Sequence, residues 1–156
     1  MKIALIGLGA IGVPIAHKLY SAYKEDFFLI ADEERKKKLQ DRQCLINGEK
    51  FEPLVVSEKD QRSIGTVDLL IICVKNYSLN SILRNITPFI KDESIILPLQ
   101  NGIYSYGFFE TQFPENTILR GYVQGPNTEI VEDGFRYQNP GELHIGRKKT
   151  GERTSV

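Results

Sequence analysis

The chain has 156 residues, 41% of them hydrophobic, with twenty basic and twenty acidic side chains and a formal net charge of zero at pH 7. That length suffices for one core of ordinary size and calls for no second, and the balanced charge offers no basic face to nucleic acid. No apolar run approaches a membrane span and the first residues pass straight into a strand pattern, so a cytoplasmic protein without a membrane partner is expected.

The first strand is the apolar run Ile3 to Ile6, and it leads directly into Gly7-Leu8-Gly9-Ala10-Ile11-Gly12, an amphipathic run, and a second strand, Phe27 to Ala31, that ends at Asp32. A GxGxxG string alone is weak evidence. Here it follows a strand, opens a helix and precedes an acid twenty positions beyond its last glycine, which is the context of a dinucleotide site. Gly7 permits the tight turn, Gly9 leaves no side chain between backbone and pyrophosphate, and Gly12 lets the helix pack closely. Leu8, Ala10 and Ile11 complete the loop. The helix supplies the anion site itself, through its unpaired first N–H groups and the positive end of its dipole, so no basic residue is required in the loop. Pro14 falls in the first turn or so, where its missing N–H does little harm.

Asp32 is placed to accept hydrogen bonds from the ribose hydroxyls of an adenosine and to repel a 2′-phosphate, which favours NADH. Arg35 and Lys36, at the start of the next helical stretch (Glu33 to Arg42), can instead meet a phosphate and favour NADPH. The residues leave both cofactors open. The remaining lysines of this stretch read as a solvated helix face.

Next, Cys44 to Ile46 and Lys50-Phe51 flank Asn47-Gly48, a type I′ hairpin signal. Val67 to Val74 (VDLLIICV) is a nearly continuous apolar run, as in a central strand buried on both faces. It ends in Lys75-Asn76-Tyr77, before a helix from Ser78 to about Ile86. Ser94 to Leu99 forms a further strand ending in Gln100-Asn101-Gly102, followed by a helix around Ile103 to Phe113 and a strand from Thr117 to Val123. Asp133-Gly134 and Pro140-Gly141 are turn signals separating Phe135 to Tyr137 from Glu142 to Ile145, and the sheet is expected to finish with these antiparallel strands.

The alternation implies an α/β fold of Rossmann type: a mostly parallel sheet with helices on both faces and antiparallel strands at the C-terminal end. Ligands of such sheets bind beyond the carboxyl ends of the strands, which places Lys75 and Asn101 beside the cofactor. Lys75 is a cation on a long stem, and Asn101 offers a donor and an acceptor. The bland alternatives are a lysine snorkelling from a buried strand and an Asn-Gly turn. His17, in the first helix, and His144, in a late strand, read as packing or surface residues. Cys44 and Cys73 lack metal-site spacing and are expected to be reduced thiols, Cys73 as core filler.

The segments GLGAIG (Gly7 to Gly12), ICVKNY (Ile72 to Tyr77), LQNG (Leu99 to Gly102) and PGELHIG (Pro140 to Gly146) together resemble the amino-terminal domain of the ketopantoate reductase (2-dehydropantoate 2-reductase) family. The resemblance covers essentially the whole chain. It implies NADPH-dependent reduction of 2-dehydropantoate to pantoate, with Lys75 and Asn101 near the ribose and nicotinamide. The dinucleotide and a small 2-keto acid would be the partners, and the full-length protein a homodimer. Members using NADPH often carry an arginine where this chain has Asp32. Members also carry a second, mostly helical domain that holds the catalytic lysine and glutamate. Residues 1–146 are accordingly expected to be the dinucleotide-binding domain, and 147–156 (RKKTGERTSV) a polar tail or the start of a linker to that absent domain, so no catalytic residue is assigned here. A non-catalytic NAD(P)-sensing module, or a dehydrogenase for another 2-keto acid, would share these features.

Overall fold

A computed structural model describes residues 1–41 and 43–146. Arg42 and the polar segment 147–156 lie outside the described residues. Strands β1 (Ile3–Ile6), β2 (Phe27–Ile30), β5 (Leu54–Val56), β6 (Val67–Ile72), β7 (Ile90–Pro98) and β8 (Thr117–Ile118), numbered along the whole chain, form one sheet in the order β5-β2-β1-β6-β7-β8. Every neighbouring pair is parallel. Taken in sequence this is the 3-2-1-4-5-6 order of the doubly wound dinucleotide fold, whose crevice opens where the order reverses, between β1 and β6.

The apolar runs make such a sheet because alternate side chains feed two separate cores. Ala4, Ile6, Phe28, Ile30, Leu70 and Ile72 pack on one face, while Ile3, Leu5, Phe27, Leu29 and Ile71 pack on the other. Helix α4 (Leu79–Ile86) covers the first face, burying Leu79, Ile82 and Ile86 at helical spacing, with Phe109 of α5 (Tyr104–Gln112) beside them. Helix α1 (Gly12–Tyr23) covers the second through Val13 and Ala16. Helix α2 (Glu33–Gln40) buries no residue fully; its ends are specified by Asp32, whose Oδ1 accepts from Arg35 N at 2.7 Å, and by acids in its first turn and lysines in its last. Among the described residues, no helix is long and apolar enough to cross a membrane.

The Asn-Gly hairpin forms as expected: β3 (Leu45–Ile46) and β4 (Glu49–Lys50) pair antiparallel, with φ of 53° at Asn47 and 81° at Gly48. The late strands differ from expectation. Instead of extending the main sheet, β10 (Thr128–Val131) and β11 (Gly134–Tyr137) join β3 and β4 in a separate sheet of order β10-β11-β3-β4, and β12 (Glu142–Gly146) pairs with β9 (Arg120–Gln124) alone. The strand expected over Thr117 to Val123 therefore divides, β8 staying in the main sheet and β9 leaving it. A glycine stands at the departure: a Cβ on Gly121 would stand 2.7 Å from Leu97 Cδ1 and 2.8 Å from Leu99 Cδ2, so its absence lets β9 cross close to the end of β7 without shifting those side chains. Strand β5 and the short helix α3 (Gln61–Ile64), between Pro53 and Gly65, were not anticipated.

Strand β7 begins earlier than its apolar residues suggest, with a register shift against β6 between Val67 and Leu69. Fully buried Ser94 repairs the irregularity: its hydroxyl donates to the Val67 carbonyl at 2.6 Å and accepts from Lys91 N at 3.0 Å. Asn116 donates its amide to the carbonyls of Lys91 and Ser94 at 2.7 and 2.9 Å. Ser94→Ala strands a buried acceptor and a main-chain donor together, so it should destabilise the fold by about 1–3 kcal/mol in urea denaturation.

Candidate dinucleotide site

The glycine loop is shaped by contacts that exclude a Cβ at two positions and leave room at a third. Gly7 adopts φ of 104°, and a Cβ on it would lie 2.7 Å from the Cys73 carbonyl carbon and 2.8 Å from Val74 N. A Cβ on Gly12 would lie 1.9 Å from the Gly7 carbonyl oxygen and 3.1 Å from Cys73 Cβ. The close approach expected between Gly12 and the sheet is thus made to the loop itself and to the residue that follows β6. At Gly9 a Cβ would meet nothing within 4 Å. This is the opening a pyrophosphate needs to reach the backbone, in front of a helix with no acidic residue in its first turn. Leu8 and Ile11 turn back onto the α1-side core, while Gly9 and Ala10 stay exposed.

The loop continues into a groove of about 150 Å³ across the carboxyl ends of β1, β2 and β6, lined by Gly7, Leu8, Asp32, Arg35, Ser78 and Asn85 among others. The structure therefore brings together the glycine loop, Asp32 and Arg35, which the sequence placed at one site. Asp32 commits Oδ1 to capping α2. Its other oxygen has no hydrogen bond to a described residue. Lys36 departs from expectation: its ammonium is 2.6 Å from Asp60 Oδ2, so it braces α2 against the segment after β5 instead of facing the groove. That contact, followed by the hydrogen bond from Ser57 N, holds the Asp60 carboxyl below the usual carboxylate range. Of the two cations weighed for a 2′-phosphate, Arg35 alone lines the groove.

Lys75 and Asn101 stand exposed just beyond β6 and β7, on the same edge as the loop but outside the lining of the groove. Asn76 joins the two strand ends, donating its amide to the Asn101 carbonyl at 3.2 Å. Asn76, Ser78 and Asn85 escaped the sequence reading. Asn76 and Ser78 follow the end of buried strand β6, which was the available signal for them; Asn85, near the end of α4, reaches the groove only through the packing of that helix. Burial pushes the Cys73 thiol up to about 12, so it stays protonated at neutral pH, as suits a residue wedged behind the glycine loop. Among the described residues no cluster of His, Cys, Asp and Glu could hold a metal ion.

Residues 3–150 match the family described as Ketopantoate reductase PanE/ApbA. The chain belongs to this family. It is 29% identical over 148 residues to the uncharacterized oxidoreductase YkpB of Bacillus subtilis (strain 168), a match covering 92% of this chain and 45% of that protein. A 2-dehydropantoate 2-reductase of Mesorhizobium japonicum is 29% identical over 105 residues, 66% of this chain and 32% of that one. Among solved structures, a ternary complex of D-mandelate dehydrogenase with NADH and anilino(oxo)acetate is similar with a TM-score of 0.78 and 25% identity, over 97% of this chain and 50% of that one. The chain thus spans half the length, or less, of these relatives. The family is one of oxidoreductases, and the chain has its Rossmann-like NAD(P)-binding fold.

Gly9 and Gly12 should respond differently to substitution. Gly9→Val should remain folded, with an unchanged melting temperature, yet lose dinucleotide binding by calorimetry because its side chain occupies the opening. Gly12→Ala should instead destabilise the domain by roughly 1–3 kcal/mol, since backbone must move to admit the methyl group.

Proposed function

We propose that this chain is the cofactor-binding half of an NAD(P)H-dependent 2-keto acid reductase of the 2-dehydropantoate 2-reductase type, and that it binds NADH more tightly than NADPH. The observation that carries this reading is a single groove lined by Gly7 and Leu8 of the glycine loop and by Asp32, beside the open position at Gly9. The pyrophosphate would lie against the N–H groups at the start of α1, and the adenosine ribose would give hydrogen bonds to the free oxygen of Asp32. Lys75 and Asn101 would flank the ribose and carboxamide of the nicotinamide half. When bound, the cofactor supplies hydride to the ketone carbon; the residues of this chain hold and orient it.

A ketone that receives hydride develops negative charge on oxygen and needs a donor within hydrogen-bond reach. We assign that donor to the part of the two-domain relatives that has no counterpart here, and Lys75 to cofactor contact. The likeness to D-mandelate dehydrogenase supports a second reading of the substrate, a bulkier 2-keto acid in place of 2-dehydropantoate.

Titration of both cofactors tests the preference. NADH should bind more tightly, and Asp32→Ala should reduce the difference by roughly tenfold, through loss of a charge-assisted hydrogen bond and of repulsion toward a 2′-phosphate. Tighter NADPH binding by the unaltered chain would show that Arg35 outweighs Asp32. In absorbance assays with 2-dehydropantoate the chain by itself should leave NADH unoxidised. Robust turnover that disappears in Lys75→Ala would make Lys75 the acid and overturn this division of roles.

A further inference from the structure

Helix α1 opens with a main-chain donor missing. A helical carbonyl accepts from the N–H four residues on, so the partner of the Ala10 carbonyl would be residue 14, and residue 14 is Pro14, which has no N–H. The Gly9 carbonyl is satisfied by Val13 N at 3.0 Å, and the Gly7 carbonyl is pressed against Gly12. The Ala10 carbonyl lies on the exposed rim of the loop with no helical partner. A donor arrives from far along the chain: Thr128 Oγ1, at the first residue of β10, donates to it at 2.9 Å.

We propose that Thr128 is a positioning residue for the pyrophosphate of the dinucleotide, an inference that rests on the reading of Gly7 to Gly12 as the phosphate loop. The peptide unit between Ala10 and Ile11 is planar and trans, so its C=O and N–H point in opposite directions. Holding the Ala10 oxygen toward β10 aims the Ile11 N–H the other way, out of the loop. Without the hydroxyl, an unpaired carbonyl at the mouth of an anion site is free to turn toward the phosphates, and its negative end opposes them. Proline at position 14 and threonine at position 128 therefore form one device: the first removes the helical donor, the second replaces it with a donor fixed to another sheet.

The pairing gives a double-substitution test. Thr128→Val should weaken NADH binding by about tenfold in calorimetry, while adenosine, which lacks phosphate, should bind as to the unaltered chain by NMR titration. Thr128→Ser should keep normal NADH affinity. Pro14→Ala restores an N–H at residue 14, so in that background Thr128→Val should cost little or nothing. Circular dichroism establishes that each variant is folded, and the Pro14→Ala background keeps the comparison valid if the single valine variant is unstable. NADH affinity within twofold of normal in Thr128→Val, an equal loss for adenosine, or no rescue by Pro14→Ala would each overturn the role. An unaltered chain that binds no NADH would contradict the dinucleotide reading itself, whereas normal binding by both the unaltered chain and Thr128→Val would contradict the role of Thr128 alone.

Discussion

Contact between the glycine loop and the residue after β6 governs the site. Cys73 N donates to the Ile6 carbonyl at 2.8 Å, extending the β1–β6 pairing one step past the last strand residues. That step puts the Cys73 backbone directly under Gly7, where no Cβ fits, and Gly12 closes the loop against the Gly7 carbonyl. The direction of α1 follows from these two contacts, and with it the aim of the helix N-terminus across the switch point of the sheet. Sequence, backbone conformation and packing are linked here by the absence of two side chains.

The core-facing stripe of α1 continues from Val13 and Ala16 to His17 and Tyr20, which meet the four-stranded sheet and the residue after β4. His17 meets Tyr137 Oη through Nδ1 at 3.0 Å and Glu49 through Nε2 at 3.3 Å, and its ring stands edge-on to Tyr137. Tyr20 packs edge-on to Phe51 with centroids 5.4 Å apart. His144 lies flat on Tyr122 across the β9–β12 ribbon. Both histidines are thus engaged in packing. The four-stranded sheet grips the middle of α1 through His17 and the glycine loop through Thr128, so the helix and its loop are braced from outside the Rossmann core.

Strands β1, β2, β6 and β7 and helices α1, α2, α4 and α5 were legible because their signals are local: apolar runs bounded by turn residues, a glycine string at the head of α1, and a helix-forming charged stretch after Asp32. Gly7 to Gly12 and Asp32 were legible as a group because one βαβ unit fixes their separation in space. What was missed depends on contacts distant in sequence. Leu54 to Val56 is too short to announce a strand without its partner Phe28 to Ile30. The break at Leu119 accompanies a close approach of Gly121 to Leu97 and Leu99, which are distant in sequence. Lys36 looked free in sequence because Asp60 is twenty-four residues away, and Pro14 looked harmless because the hydroxyl that replaces its N–H comes from the far end of the chain.

A titration of the isotopically labelled chain with NADH, followed through its backbone amide NMR signals, tests the site most directly. The largest shifts should fall on the amides of Gly9, Ile11 and Gly12 and on those around Asp32, with smaller changes at Lys75 and Asn101. Shifts confined to the neighbouring cavity lined by Leu39, Cys44 and Phe51, with the loop amides unmoved, would contradict a phosphate site at the start of α1.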